Sequence, residues 1–306
     1  MSKLAAVFPG QGSQYVGMGK DLYEASPLAR ELYDRADRLL GFPLSTVCFE
    51  GPEAELKQTR VTQPAIFVHS IVAWRMLRMK DVSMAAGHSL GEYSALVAAG
   101  ALEFDDALAL VRIRGELMQK AGEENPGTMA AVIGLEPAVV GEVCCSAWKE
   151  GIVQSANFNS PGQIVISGSH SGVQKAMELA KTRGARIVKE LVVGGAFHSP
   201  LMQSARDGLR TALAKVPVRD AQIPVYANVT AMPVLTVEEI RRTLEEQLTS
   251  PVRWWDSVDR MVVDGATTFL EVGPGKVLQG LIKRINGSVS TIGVDRFEDL
   301  EKLVPA

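Results

Sequence analysis

Gly87-His88-Ser89-Leu90-Gly91 sets a serine between two glycines, with an apolar stretch before it and helical spacing after it. A nucleophile on a sharp strand-to-helix turn needs that arrangement, because bulky neighbours clash at such backbone angles. The turn also brings the next backbone N–H, that of Leu90, beside the reacting carbon. There it and the following helix N-terminus can stabilise an oxyanion. A five-residue pattern of this kind can also form a purely structural turn, so the context carries the weight: a strand at Met84–Gly87 and a helix at Leu90–Ala99.

A reactive serine requires a base, and the chain has four histidines. His69 lies in the apolar helix around Ile66–Val72 and reads as a core histidine; His88 is adjacent to Ser89, and neighbouring side chains diverge at such a turn. His170 falls at an exposed helix start. His198, in Gly194-Gly195-Ala196-Phe197-His198-Ser199-Pro200, is held at a helix entrance, since Ser199 can cap the helix and Pro200 suits its first position. Elimination makes His198 the candidate base, against a structural role.

Arg114 is the most informative charge. Ala107, Val111, Met118 and Ala121 form one stripe of a helix, and Arg114 falls inside it, whereas Arg112 falls on the polar side. A guanidinium on an apolar face needs an anion or several carbonyls. Either an internal salt bridge satisfies it, or it is a bidentate clamp for a substrate carboxylate.

The elements that must position these residues follow from apolar periodicity. Leu4–Phe8 reads as a buried parallel strand ended by Pro9-Gly10; helices are expected at Leu22–Leu40, Gln63–Met79 with Pro64 in its first turn, and Asp105–Ala121. Then the pattern changes: strand Thr128–Leu135, helix Pro137–Trp148, strands Ile152–Phe158 and Gln163–Ser167 around the turn Asn159–Gly162, helix Ser171–Thr182 and strand Arg186–Val193. That β-α-β-β-α-β order is the ferredoxin-like arrangement. The expected fold is α/β: a large α/β-hydrolase-like domain with a parallel sheet (1–126 and 195–306) and an inserted small ferredoxin-like domain (127–194). Helices Pro200–Lys215, Val237–Leu248 and Trp254–Asp264, strand Thr267–Val272 and a closing helix after Gly273-Pro274-Gly275 complete the large domain.

The chain has 306 residues, 46% hydrophobic and 22% charged, with a formal net charge of −3. That balance suits a globular protein and argues against a nucleic-acid surface. The run Met1–Phe8 is too short for a signal peptide or a membrane span, so a cytoplasmic location with no membrane partner is expected. Cys48, Cys144 and Cys145 lack metal-ligand spacing and read as reduced buried thiols; no metal site is expected.

The chain resembles the malonyl-CoA:acyl carrier protein transacylase family. The matching pieces are Gly10-Gln11-Gly12-Ser13-Gln14, Thr62-Gln63-Pro64-Ala65, Gly87 to Tyr93, Arg112-Ile113-Arg114-Gly115 with Met118, Asn157 to Gln163, Ala196-Phe197-His198-Ser199, Gln247 to Val252, and Glu271-Val272-Gly273-Pro274-Gly275. They occur in the family's order across almost the whole chain. The resemblance implies a ping-pong reaction in fatty acid biosynthesis. Ser89, activated by His198, takes malonyl from malonyl-CoA and passes it to the phosphopantetheine thiol of an acyl carrier protein. It implies an oxyanion hole from the N–H groups of Gln11 and Leu90, and His198 oriented by the backbone carbonyl of Gln247. Arg114 is implied to pair with the malonyl carboxylate, and Met118, Phe197, Gln63, Asn159 and Gln163 to complete substrate binding. Phe197 resembles the malonyl-selective members. The only cofactor-like molecule expected is the coenzyme A thioester itself, and a monomer is the expected state. Carrier docking on an acidic partner would use Lys175, Lys181, Arg183, Arg186 and Lys189. Alternatives are a trans-acting acyltransferase serving polyketide carrier domains, a serine hydrolase and a silent carrier-binding module. Against a hydrolase, no histidine follows His198.

Overall fold

A computed structural model describes residues 3–79 and 81–303; Met1 and Ser2 of the amino-terminal run lie outside them. Among the described residues ten strands form two sheets: β1 (Lys3–Phe8), β2 (Val82–Gly87), β3 (Gly127–Ile133), β4 (Val153–Ser160), β5 (Gln163–Ser169), β6 (Ile187–Glu190), β7 (Val225–Tyr226), β8 (Pro233–Val234), β9 (Ala266–Val272) and β10 (Ser290–Val294). The larger sheet runs β10-β9-β1-β2-β7-β8, parallel except for the last pair. The smaller runs β4-β5-β3-β6 and is antiparallel throughout.

β1 and β2 are apolar throughout their centres because both faces of the sheet are covered. Ala6, Phe8 and Ala85 point into one core with the helices Thr59–Leu77 and Phe104–Glu124. Ala5, Val7, Met84 and Ala86 point into the other, against Trp254, Val258 and Leu278. The register pairs Phe8 with Gly87, so the loops leaving β1 and β2 emerge side by side at the C-terminal edge of the sheet. Ligands of open α/β sheets bind at that edge. The smaller sheet is tied to it through β4: Phe158 N donates to Val252 O at 2.9 Å and Val252 N to Ala156 O at 2.8 Å.

Several expected elements differ in extent. The single helix expected over Leu22–Leu40 is two, Lys20–Ala25 and Pro27–Leu40, because the Ser26 side chain caps the second and Pro27 begins it without an N–H. The helix expected from Gln63 starts at Thr59, so Pro64 sits inside it rather than in its first turn. Pro200–Met202 is a 3-10 turn ahead of the helix Gln203–Leu213. Asn159 and Ser160 belong to β4, which narrows the expected turn to Pro161-Gly162. β6 ends at Glu190, and Leu191 and Val193 continue past it into the site. Cys48 and Cys144 are buried free thiols, but Cys145 is exposed. β7, β8, β10 and the helices Leu44–Glu50 and Phe297–Leu303 were not expected; most are too short for periodicity to register. Among the described residues, no helix is long and apolar enough to cross a membrane.

Gly91 lets the helix Gly91–Ala98 close on β1. A Cβ there would lie 2.0 Å from Phe8 O and 2.7 Å from Phe8 C, both backbone atoms that cannot step aside. Gly91→Ala is therefore expected to lower stability by about 1–3 kcal/mol, the usual cost of overpacking. Urea denaturation measures this, and an unchanged midpoint with an unchanged slope contradicts it.

Candidate active site

β2 delivers Ser89 to the edge of the sheet in a left-handed backbone conformation, φ 51°. For a non-glycine residue that geometry is strained and persists only where surroundings over-determine it. Asn228 does so from both sides: its Nδ2 donates to Gly87 O and its Oδ1 accepts from Ser89 N, each at 2.7 Å. The Ser89 N–H is thereby used. The Leu90 and Gln11 N–H groups have no protein acceptor among the described residues, and both residues line the cavity in front of Ser89.

His198 also has a positive φ, 57°. Its Nε2 is 2.9 Å from Ser89 Oγ and its Nδ1 2.8 Å from the backbone carbonyl of Gln247. A carbonyl can only accept, so Nδ1 carries the proton and Nε2 presents its lone pair to the serine hydroxyl. Gln154 Nε2 donates to His198 O at 2.8 Å, bridging from β4 to the base. Burial and the Arg114 guanidinium both disfavour an imidazolium, pushing the His198 pKa down to about 3.

Arg114 is fully buried. It donates to Gln63 Oε1 at 2.8 Å, Gln247 Oε1 at 2.8 Å and Ser89 Oγ at 2.9 Å. Its Nε has no acceptor, and no carboxylate lies within ion-pair distance among the described residues. The internal salt bridge weighed from sequence is thus absent, and amide oxygens stand in its place. Burial makes the guanidinium somewhat easier to deprotonate than usual, yet an arginine stays charged in proteins. The site therefore holds a cation with no carboxylate in contact among the described residues.

A cavity of about 190 Å³ opens in front of these groups, lined by Gln11, Gln63, Ser89, Leu90, Arg114, Met118, Asn159, Phe197 and His198 among others. Gln163 is not brought into it. It lines a smaller neighbouring cavity with Gly10–Ser13, and its Oε1 accepts from Arg284 at 2.6 Å, because β5 starts beyond the rim. His88 turns away from Ser89, its ring 2.9 Å from Asn159 Oδ1. His69 is buried, with Nε2 3.1 Å from Asp295 Oδ1; His170 is exposed at its helix start. Sequence reasoning missed Asn228, Gln154, Glu92 and the apolar wall of Met129, Val165, Leu191 and Val193. Leu191 and Val193 were in view as strand residues; Asn228 follows a two-residue strand and carries no local signal.

The acyl transferase domain family matches residues 6–296. The malonyl CoA-acyl carrier protein transacylase of Bacillus subtilis (strain 168) is 47% identical over 304 residues, 98% of this chain and 96% of that protein. A crystal structure of an acyl carrier protein S-malonyltransferase from Vibrio cholerae superposes with a TM-score of 0.95 at 41% identity, covering 99% of this chain and 100% of the other. A malonyl-transacylase in complex with its type II PKS acyl-carrier protein superposes equally well, TM-score 0.95 at 41% identity, with 99% of both chains covered.

The His198 geometry has a direct consequence. Because both perturbations lower its pKa, the ring is expected to remain the neutral Nδ1–H tautomer from about pH 8 to about pH 5, where a free imidazole titrates. The ¹⁵N chemical shifts of His198 read this, and a midpoint near the free-imidazole value contradicts it. A serine, a neutral imidazole held by a carbonyl, two unpaired N–H groups and a lone buried arginine thus agree with the sequence and fold matches: the chain belongs to the acyl transferase domain family and, within it, to the malonyl-CoA:acyl carrier protein transacylases.

Proposed function

We propose that the chain transfers malonyl from malonyl-CoA to the phosphopantetheine thiol of an acyl carrier protein through a malonyl-Ser89 ester. The observation that carries this reading is Arg114: a buried guanidinium with spare donors, 2.9 Å from the nucleophilic oxygen, suits an acyl group ending in a carboxylate. Ser89 Oγ attacks the thioester carbonyl carbon while its proton passes to His198 Nε2. The N–H groups of Gln11 and Leu90 receive the oxyanion. As the C–S bond breaks, the imidazolium returns the proton to the leaving sulfur and free CoA departs. The carrier thiol then gives its proton to His198 and attacks the ester carbonyl, and the Ser89 oxygen recovers that proton as it leaves. Throughout, the Gln247 carbonyl does the orienting work of an aspartate in hydrolase triads. Gln63, Met118, Asn159 and Phe197 shape the acyl pocket, Phe197 limiting its width to malonyl.

We read residues 127–194 as a small ferredoxin-like domain inserted into a hydrolase-like one (1–126 and 195–306), in line with the strand order β4-β5-β3-β6. Its basic face is the carrier dock in this reading. Lys175 and Arg183 are ion-paired with Glu178 and Glu142, so exposed Lys181, Arg186 and Lys189 carry the attraction. The carrier belongs to fatty acid synthesis in the first reading. The equally close match to a transacylase bound to a type II PKS carrier supports a polyketide carrier as the second.

Malonyl-CoA without carrier is expected to leave one malonyl adduct on Ser89, seen by intact-protein mass spectrometry and removed by added carrier. An adduct that persists in Ser89→Ala would falsify the mechanism.

A further inference from the structure

Glu92 is a buried carboxylate for which the reaction described above has no use. It is 1% exposed, three residues after Ser89 on the helix Gly91–Ala98. A buried carboxylate is costly unless donors satisfy it, and the donors here are telling. Glu92 Oε2 accepts from Asn228 N at 3.0 Å and from Gln247 Nε2 at 2.9 Å.

Each of those partners holds a different part of the machinery. Asn228 clamps the Ser89 turn through Gly87 O and Ser89 N. Gln247 holds His198 through its backbone carbonyl and Arg114 through its side-chain oxygen. An amide has one acceptor end and one donor end. Glu92 and the Ser89 carbonyl, 2.9 and 3.0 Å away, together take the Nε2 end and so turn the Oε1 end of Gln247 toward the guanidinium. We propose that Glu92 is a positioning residue that locks Asn228 and Gln247 and so brings Ser89, His198 and Arg114 into register. Its location in the first turn of a helix favours its charge, as do the two donors and Arg114 nearby; burial opposes them and pushes its pKa up to about 7.

The inference deepens the transfer reading and rests on it for the malonyl arm of the test alone. Two rates are measured per reactive site: acylation by malonyl-CoA, and labelling by a fluorophosphonate, which needs Ser89 and His198 in register but no malonyl group. Glu92→Ala is expected to slow both by about 100-fold, the effect of an ångström-scale misplacement. Glu92→Gln, whose single amide oxygen can still accept from both donors, is expected to return to within about tenfold of the parent. A role in folding alone would lower the fraction of reactive sites and the thermal midpoint, leaving the rate per site within about threefold of the parent; that result overturns the proposal. So does Glu92→Gln reacting no faster than Glu92→Ala. If Glu92→Ala does not fold, Glu92→Asp replaces it: one methylene shorter, it should react at least about tenfold slower, and parent-like rates overturn the proposal. A parent that labels with fluorophosphonate but never with malonyl overturns the transfer reading and leaves the positioning claim to the labelling arm.

Discussion

The guanidinium of Arg114 is the constraint around which the site is built. Removing a cation from water costs on the order of several kcal/mol even after relaxation, and this one is buried with no carboxylate in contact among the described residues. Two amide oxygens and a serine hydroxyl hold it. Neutral acceptors orient the charge without cancelling it. The attraction left over is what an acyl carboxylate can use; burial first, and the same charge second, keep His198 neutral.

The fold makes this tolerable by fixing everything around it. Parallel β1 and β2 end together, so the segments that follow them bring Gln11 and Leu90 to the cavity in front of Ser89. Close backbone approach, which only Gly91 permits against Phe8, sets the turn's depth. The smaller sheet reaches in through β4, where Gln154 and the Val252 pairing anchor the segments carrying His198 and Gln247. Strain at Ser89 and His198 is thus held by hydrogen bonds from three separate stretches of chain, at Asn228, Gln247 and Gln154.

Ser89, His198 and Arg114 were legible in the sequence because each breaks a local pattern: small residues at a turn, a histidine at a capped helix start, a charge within an apolar stripe. The long buried strands and helices were legible for the same reason, since periodicity is a local signal. What was not legible depends on contacts distant in sequence. Asn228 acts on a turn 139 residues away, and Glu92 acts through two residues that sequence does not link to it. Gln163 is the opposite case. It is part of a matching motif, yet the hairpin geometry sends it to the neighbouring cavity. Helix starts shifted wherever a cap or a proline could serve two registers, as at Ser26 and Pro64.

In the proposed reaction the unpaired buried charge of Arg114 selects a carboxylate-bearing acyl group. The most direct test is a cycle of four kcat/KM values: parent and Arg114→Ala, each with malonyl-CoA and acetyl-CoA. The predicted coupling is about 1.5–3 kcal/mol, the worth of hydrogen bonds to a charged group, which is a roughly 10- to 150-fold loss of malonyl preference. A preference for malonyl over acetyl that survives the substitution unchanged would contradict it.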